Sequence, residues 1–192
     1  MECARREFGN SSGRRPDVAG ELGARIQIIE LGVDMSEATV VFVHGAFADS
    51  SSWNGVITPL RAKAVPVMAP PNPLRGLTAD STYIASVFAQ IEGSIVAVGR
   101  SHGGTLIRNA ATEAQNVVGL VYVAALANEE GETVGAAEAE SKDSVLSSTL
   151  VSRQYPTADG GSATEFYIDP AKVRDAFAGD LSDEQIARVG AT

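Results

Sequence analysis

From Thr39 onward the apolar residues fall into two alternating patterns. Short valine-rich runs, TVVFV (39–43), VPVMA (65–69), SIVAV (94–98) and VVGLVYVAA (117–125), are nearly uninterrupted. Such runs mark strands covered on both faces, as in a parallel sheet. Pro66 stands near the start of its run, where a missing N–H is tolerated. Between the runs, apolar residues recur at helical spacing: Trp53, Val56, Ile57 and Leu60; then Ile84, Val87, Phe88 and Ile91; then Leu106, Ile107, Ala110, Ala111 and Ala114. Each set is one face of a half-buried helix. The alternation predicts an α/β domain, a mostly parallel sheet between layers of helices joined by right-handed crossovers.

The two ends follow different patterns. Residues 1–34 are rich in Gly, Arg and Ser, with one apolar cluster, IQIIEL at 26–31. They read as a disordered extension in preference to an added edge strand, and residues 1–25 are expected to be poorly ordered because they have little to bury. Met35 opens MSEATVVFVHG, a natural start for the domain. After Ala125 the valine runs cease, and an acidic, polar, weakly helical stretch suggests a lid without buried strands. Asp169-Pro170 and Ser182-Asp183-Glu184-Gln185 are helix-start signals, a cap followed by proline and a capping box. They predict short helices near 171–178 and 182–190. The expected organisation is therefore an extension over 1–34 and one domain over 35–192, with a sheet core at 36–125 and a lid at 126–192.

Composition narrows the function. A chain of 192 residues, 44% hydrophobic and 20% charged, is ordinary for one soluble domain with a real core. Its formal charge of -9 repels phosphate backbones, so nucleic acid is not an expected partner. The single cysteine, Cys3, allows no internal disulfide and fits a reducing compartment. No apolar run approaches the roughly 18 residues of a membrane span. The N-terminal arginine pairs are not followed by the apolar segment of a secretory or twin-arginine signal. A cytoplasmic protein with a small-molecule substrate and no membrane partner is expected.

The chemistry is concentrated in VAVGRSHGGTLI, 96–107. Gly99-Arg100-Ser101-His102-Gly103 reads as G-x-S-x-G between a strand and a helix. That arrangement mounts a serine on a strained turn with its Oγ exposed, and the flanking glycines let strand and helix backbones approach. One alternative is a strand-to-helix turn with an incidental serine. Another is the phosphate-binding turn of a dinucleotide fold, but that places G-x-G-x-x-G after the first strand. Here the first strand ends in FVHGAFADSSSW, 42–53. His-Gly at that point supplies a loop able to give one oxyanion N–H, while the residue after the nucleophile gives the other.

At these two motifs the sequence resembles the α/β-hydrolase superfamily. It is most similar to small single-domain bacterial members and to the plant methylesterase and hydroxynitrile lyase group. The loop APPNPLRGL, 69–77, also resembles one in the bacterial members. The resemblance covers about 36 to 190 and implies a three-layer fold and an esterase-type serine hydrolase acting on a small neutral or apolar substrate. It implies Ser101 as nucleophile, the backbone N–H groups of Ala46 and His102 as oxyanion hole, and Phe47 and Asn72 near the pocket mouth. His44 matches a structural position. No cofactor and no metal are implied.

The sequence departs from that pattern in two ways. Arg100 and His102 flank the serine where the family usually carries histidine before it and often tyrosine after it. Arg100 is expected either to pair with an acidic lid residue or to distort the elbow. The second departure concerns the triad, which in this fold runs serine, acid, histidine. The chain has two histidines, His44 and His102, and none downstream. An elbow's next residue normally turns its side chain away from the nucleophile, so His102 is set aside as the base. Asp143, Asp159, Asp169, Asp175, Asp180 and Asp183 follow Ser101, but all lie in lid-like sequence and none is assigned as the acid. The chain reads as the first part of a hydrolase, truncated before its last strands. The alternative to an active enzyme is a catalytically incompetent remnant or pseudoenzyme that only binds a ligand or partner. Hydrolysis near background and self-association through an exposed edge of VVGLVYVAA are the corresponding expectations.

Overall fold

Four parallel strands form the centre of the molecule. The computed structural model describes residues 37–127, Gly135 and residues 144–191. The cluster at 26–31 and the expected disorder of residues 1–25 lie outside the described residues. Strands β1 (Thr39–Val43), β2 (Val67–Met68), β3 (Ile95–Ser101) and β4 (Val117–Ala125) line up in the order β2-β1-β3-β4. The second valine run gives only two paired residues. Its Pro66 has no N–H to donate, and it joins the sheet through its carbonyl, which accepts from Val40 N at 2.9 Å.

Burial on both faces explains the uninterrupted apolar runs. Val41, Val43, Ile95 and Ala97 pack under α2 (Leu77–Ala89) and α3 (His102–Ala111) with Ile84, Phe88, Leu106 and Ile107. The alternate residues Phe42, Val96 and Val98 face Trp53 and the half-buried Ile57 and Leu60 of α1 (Asn54–Ala62). This period-two division makes three layers. The helical faces read from the sequence are the ones buried, except that Val56 of α1 is left exposed.

Beyond β4 the chain differs from expectation. Strands do not end at Ala125. An antiparallel hairpin, β5 (Leu150–Pro156) and β6 (Ser162–Ile168), forms a separate two-stranded sheet. Its turn is closed by Thr157 N donating to Gly161 O, with Gly160 at a φ of 83°. The hairpin is largely exposed, so its residues carry no apolar run; its sequence signals are the Asp159-Gly160 turn and alternation over VSRQY and ATEFYI. The expected helices do form, as a 3₁₀ turn (Pro170–Lys172) running into α4 (Val173–Ala176), and as α5 (Asp183–Val189). Asp169 caps the first by accepting from Ala171 N, and Ser182 and Gln185 cap the second reciprocally. Ile168, Val173 and Ala178 bury a small core of their own. No helix among the described residues is long and apolar enough to cross a membrane.

Candidate active site

The strand order places a crevice before any side chain is considered. After β1 the chain moves outward to β2, then returns across to β3 and β4. Loops leaving the C-terminal ends of β1 and β3 therefore diverge, and this switch point is where open α/β sheets bind ligands. The two loops are His44-Gly45-Ala46 and the Ser101 turn.

Ser101 ends β3 and precedes the first residue of α3, with φ 51° and ψ -125°. This is a region that a residue with a Cβ rarely enters, at a cost of about 1–3 kcal/mol. Close packing holds it there. A Cβ on Gly99 would overlap the Gly103 carbonyl, and one on Gly103 would overlap the Val43 carbonyl in β1. A Cβ on Gly45 would lie 2.9 Å from Ser101 Cβ and 3.4 Å from its Oγ. The loop after β1 is therefore in contact with the serine. Ser101 also stands at the N-terminus of α3, whose first N–H groups and dipole favour developing negative charge.

His44 and Asn72 brace the first loop from behind. His44 is buried; its Nε2 accepts the Asn72 N–H at 2.9 Å, so Nδ1 carries the proton and donates to Gly45 O at 2.8 Å. Asn72 Nδ2 donates to His44 O at 3.2 Å, and Asn72 Oδ1 accepts from Leu74 N. Asn72 is thus buried against His44. It does not line the cavity that Ala46, Phe47 and His102 share.

That cavity, of about 590 Å³, lies between the loop after β1, the 73–77 segment and the hairpin, and Ser101 is not among the residues lining it. Its walls are mainly apolar, with Phe47, Leu74, Leu146, Leu150, Ile168 and Phe177 among them. Phe47 follows Ala46 with a φ of 60°, and its ring meets Phe177 edge-on at 6.5 Å. The polar groups on the cavity wall include His102 and Asp80. Burial pushes the His102 imidazole below the ordinary histidine value; the Asp80 charge opposes the shift and His44 adds to it. Asp80 is almost wholly buried, and its carboxylate accepts N–H bonds from Arg75 and Gly76 at 2.9–3.1 Å. A second cleft of about 680 Å³, lined by Thr78, Ser81 and Asn109, runs between α2 and α3. It includes neither Ala46 nor His102.

Arg100 leaves the elbow intact. Its guanidinium lies over the Phe177 ring at 4.7 Å, and burial pushes its pKa down while Asp180 opposes the shift. Sequence reasoning missed Asp80, whose signal is an acid in the first turn of a helix. It also missed Phe177 and the clasp Arg75–Glu165 at 3.0 Å, which joins the 69–77 loop to the hairpin. Contacts of this kind have no local sequence signal. Among the described residues no cluster of three His, Cys, Asp or Glu side chains could hold a metal ion.

The pattern of the alpha/beta hydrolase family matches residues 40–191. The chain belongs to that family. The fold is shared with polyneuridine aldehyde esterase, at a TM-score of 0.66 and 17% identity over 81% of this chain and 68% of that one. Tomato methylketone synthase I, in complex with 2-tridecanone, superimposes at a TM-score of 0.63 with 17% identity, over 82% of this chain and 66% of the other. A pyrethroid hydrolase from Sphingobium faniae JZ-2 gives 0.53 and 22% identity, over 77% and 63%. The chain thus spans about two thirds of the length of these neighbours. A search of curated protein sequences returned no match.

Proposed function

We propose that this chain is an esterase-type serine hydrolase for a small neutral or apolar substrate, with Ser101 as nucleophile. The observation that carries the reading is the backbone of Ser101, held at φ 51° between β3 and α3 and in contact with the loop after β1. Backbone N–H groups of Ala46 and His102 form the oxyanion hole in this reading, and Phe47 belongs to the substrate pocket. Asn72 acts from behind, through His44. The apolar cavity wall supports the substrate class. Neighbours named as an esterase and a pyrethroid hydrolase favour ester chemistry, whereas the methylketone synthase shows that the fold serves more than one reaction. The test is labelling by a fluorophosphonate, mapped by mass spectrometry. Modification at Ser101, abolished in Ser101→Ala, is expected; absence of labelling there would overturn the reading.

One observation favours a binding protein without turnover. Both ring nitrogens of His44 are engaged in bracing the loop after β1, which leaves this imidazole no lone pair for a reacting proton. Under that reading apolar esters raise the melting temperature without being hydrolysed. Self-association is proposed with either reading, because among the described residues β4 ends the sheet order and stays only half-buried along most of its length. Sedimentation velocity giving a monomer at all concentrations would contradict it.

A further inference from the structure

The loop after β1 holds one peptide group whose two ends face different surroundings. The Gly45 carbonyl accepts from His44 Nδ1 at 2.8 Å on the buried side, where His44 and Asn72 pack together. The Ala46 N–H belongs to the same peptide. That peptide is planar and trans, so its N–H points opposite to its C=O. With the oxygen tied to the imidazole, the N–H is turned away from it. Ala46 lines the apolar cavity, and its N–H has no acceptor among the described residues. Gly45 itself touches the nucleophile, since a Cβ added to it would lie 3.4 Å from Ser101 Oγ. An N–H left without a protein acceptor at that place is a donor held for a ligand.

The imidazole can make its bond to Gly45 in one neutral tautomer only. Nδ1 must carry the proton, and Nε2 is then an acceptor. Asn72 supplies the matching donor, its backbone N–H, at 2.9 Å from Nε2. The Asn72 side chain holds that N–H in place. Its Nδ2 donates to His44 O at 3.2 Å, and its Oδ1 accepts from Leu74 N at 3.2 Å. Accepting a hydrogen bond also polarises the Gly45–Ala46 peptide and makes its N–H a stronger donor. We propose that His44 and Asn72 are positioning residues for the oxyanion hole. Asn72 selects the His44 tautomer. His44 Nδ1–H, by holding the Gly45 oxygen, aims the Ala46 N–H at the oxygen that becomes negative when Ser101 attacks. This rests on the reading of Ser101 as nucleophile. Neither side chain lines the cavity, and His44 moves no proton in the reaction.

The experiment separates the two ring nitrogens in the full chain. His44→Asn puts an amide N–H near the Nδ1 position and keeps the bond to Gly45 O, while the Asn72 N–H loses its acceptor. His44→Gln reaches the Nε2 position and can accept the Asn72 N–H, but leaves Gly45 O without its donor. Both should lower the melting temperature. Fluorophosphonate labelling at Ser101 should divide them. In that step Ser101 Oγ bonds to phosphorus, fluoride leaves with the bonding pair, the serine proton passes to solvent, and the phosphoryl oxygen sits in the oxyanion hole. His44→Gln is expected to label about 100-fold more slowly, the cost of one lost oxyanion donor, and His44→Asn to stay within about tenfold of wild type. A purely structural role would slow both in step with their loss of stability. A wild-type rate in folded His44→Gln, or equal slowing in the two variants, would overturn the proposal and leave Ser101 as nucleophile. A second readout does not depend on Ser101. Nitrogen NMR of the imidazole should show a protonated Nδ1 and a bare Nε2 in the wild type, and a mixture of tautomers in Asn72→Ala. A protonated Nε2 in the wild type would overturn the proposal whatever the labelling, and an unchanged tautomer in Asn72→Ala would remove Asn72 from it. Absence of labelling at Ser101 in the wild type would overturn the nucleophile, and the oxyanion role of His44 with it.

Discussion

The sheet core and the region after residue 144 are built on opposite terms. In the core, position is set by backbone against backbone. Gly99 and Gly103 allow β3, α3 and β1 to touch, and the flanking residues Val41, Val43, Ile95 and Leu106 are wholly buried. In the later region, the hairpin and two short helices share a small core and reach the rest of the chain through side-chain pairs. These include Phe47 with Phe177, Arg100 over Phe177, and Arg75 with Glu165 and Tyr155. Both regions supply walls to the same cavity. Close backbone packing holds Ser101 at its positive φ, whereas long side chains meeting across a gap can part without unfolding the sheet. The later region is therefore expected to be displaced more easily than the sheet core.

The strongest test of this contrast is Gly103→Ala. Its new methyl would overlap the Val43 carbonyl, and neither backbone can yield without shifting β1 against α3. A loss of about 3 kcal/mol is expected in urea unfolding, at the upper end of overpacking costs, and Ser101 labelling should be lost with it. A matched substitution in the other region is Gly160→Ala in the hairpin turn, where φ is 83° and no atom lies within 4 Å of the added carbon. There only the backbone penalty of about 1 kcal/mol applies. Equal losses at the two sites would show that the core is not the stiffer part.

An intermediate effect is expected from Phe177→Ala. The ring is half-buried and makes two of the aromatic contacts between the regions. Edge-to-face and cation–π contacts are worth about 1 kcal/mol each, so a total near 2 kcal/mol is expected. Hydrogen exchange should locate the loss in residues 144–191, with amides of β1 and β3 unaffected. Equal loosening of β3 would show that the two regions unfold as one.

The same contrast explains how much the sequence reveals. The strands of the core were legible because burial on both faces writes continuous apolar runs, and the elbow because its glycines are demanded by backbone contact. Asp169 and Ser182 were legible as helix caps because a cap acts on its own next turn. The hairpin was not, because with solvent along most of both strands nothing forces an apolar run, and a short turn signal with brief alternation was its mark. Asp80 and Phe177 were hidden for another reason. What they do depends on partners brought in by the fold, and an acid in a first helical turn reads as a solvated one until the N–H groups of Arg75 and Gly76 close on it.

The smallest effect belongs to Glu165→Gln, and its sign is set by pH. The hydrogen bond from Arg75, then that from Tyr167 Oη at 2.9 Å, holds the Glu165 carboxyl below its ordinary value. A carboxyl with a depressed pKa in the folded state contributes stability above its unfolded value, and loses it as pH falls through the folded one. Wild type should therefore exceed Glu165→Gln at neutral pH, and the two should converge on acidification below the ordinary glutamate value of about 4.3. The pair is partly exposed, so the difference should be slight and should shrink further in 1 M salt. What the substitution changes more visibly is the cover. The guanidinium of Arg75 also lies 4.3 Å from the Tyr155 ring, so the hairpin is held to the 69–77 loop by one charge and one ring. Loss of the charge should raise proteolysis within 150–168 at neutral pH while leaving the melting of the sheet in place. A gap between wild type and variant that did not narrow at all as the pH fell would mean that the hairpin is held by packing, and that this region is closer in character to the core than its exposed surface suggests.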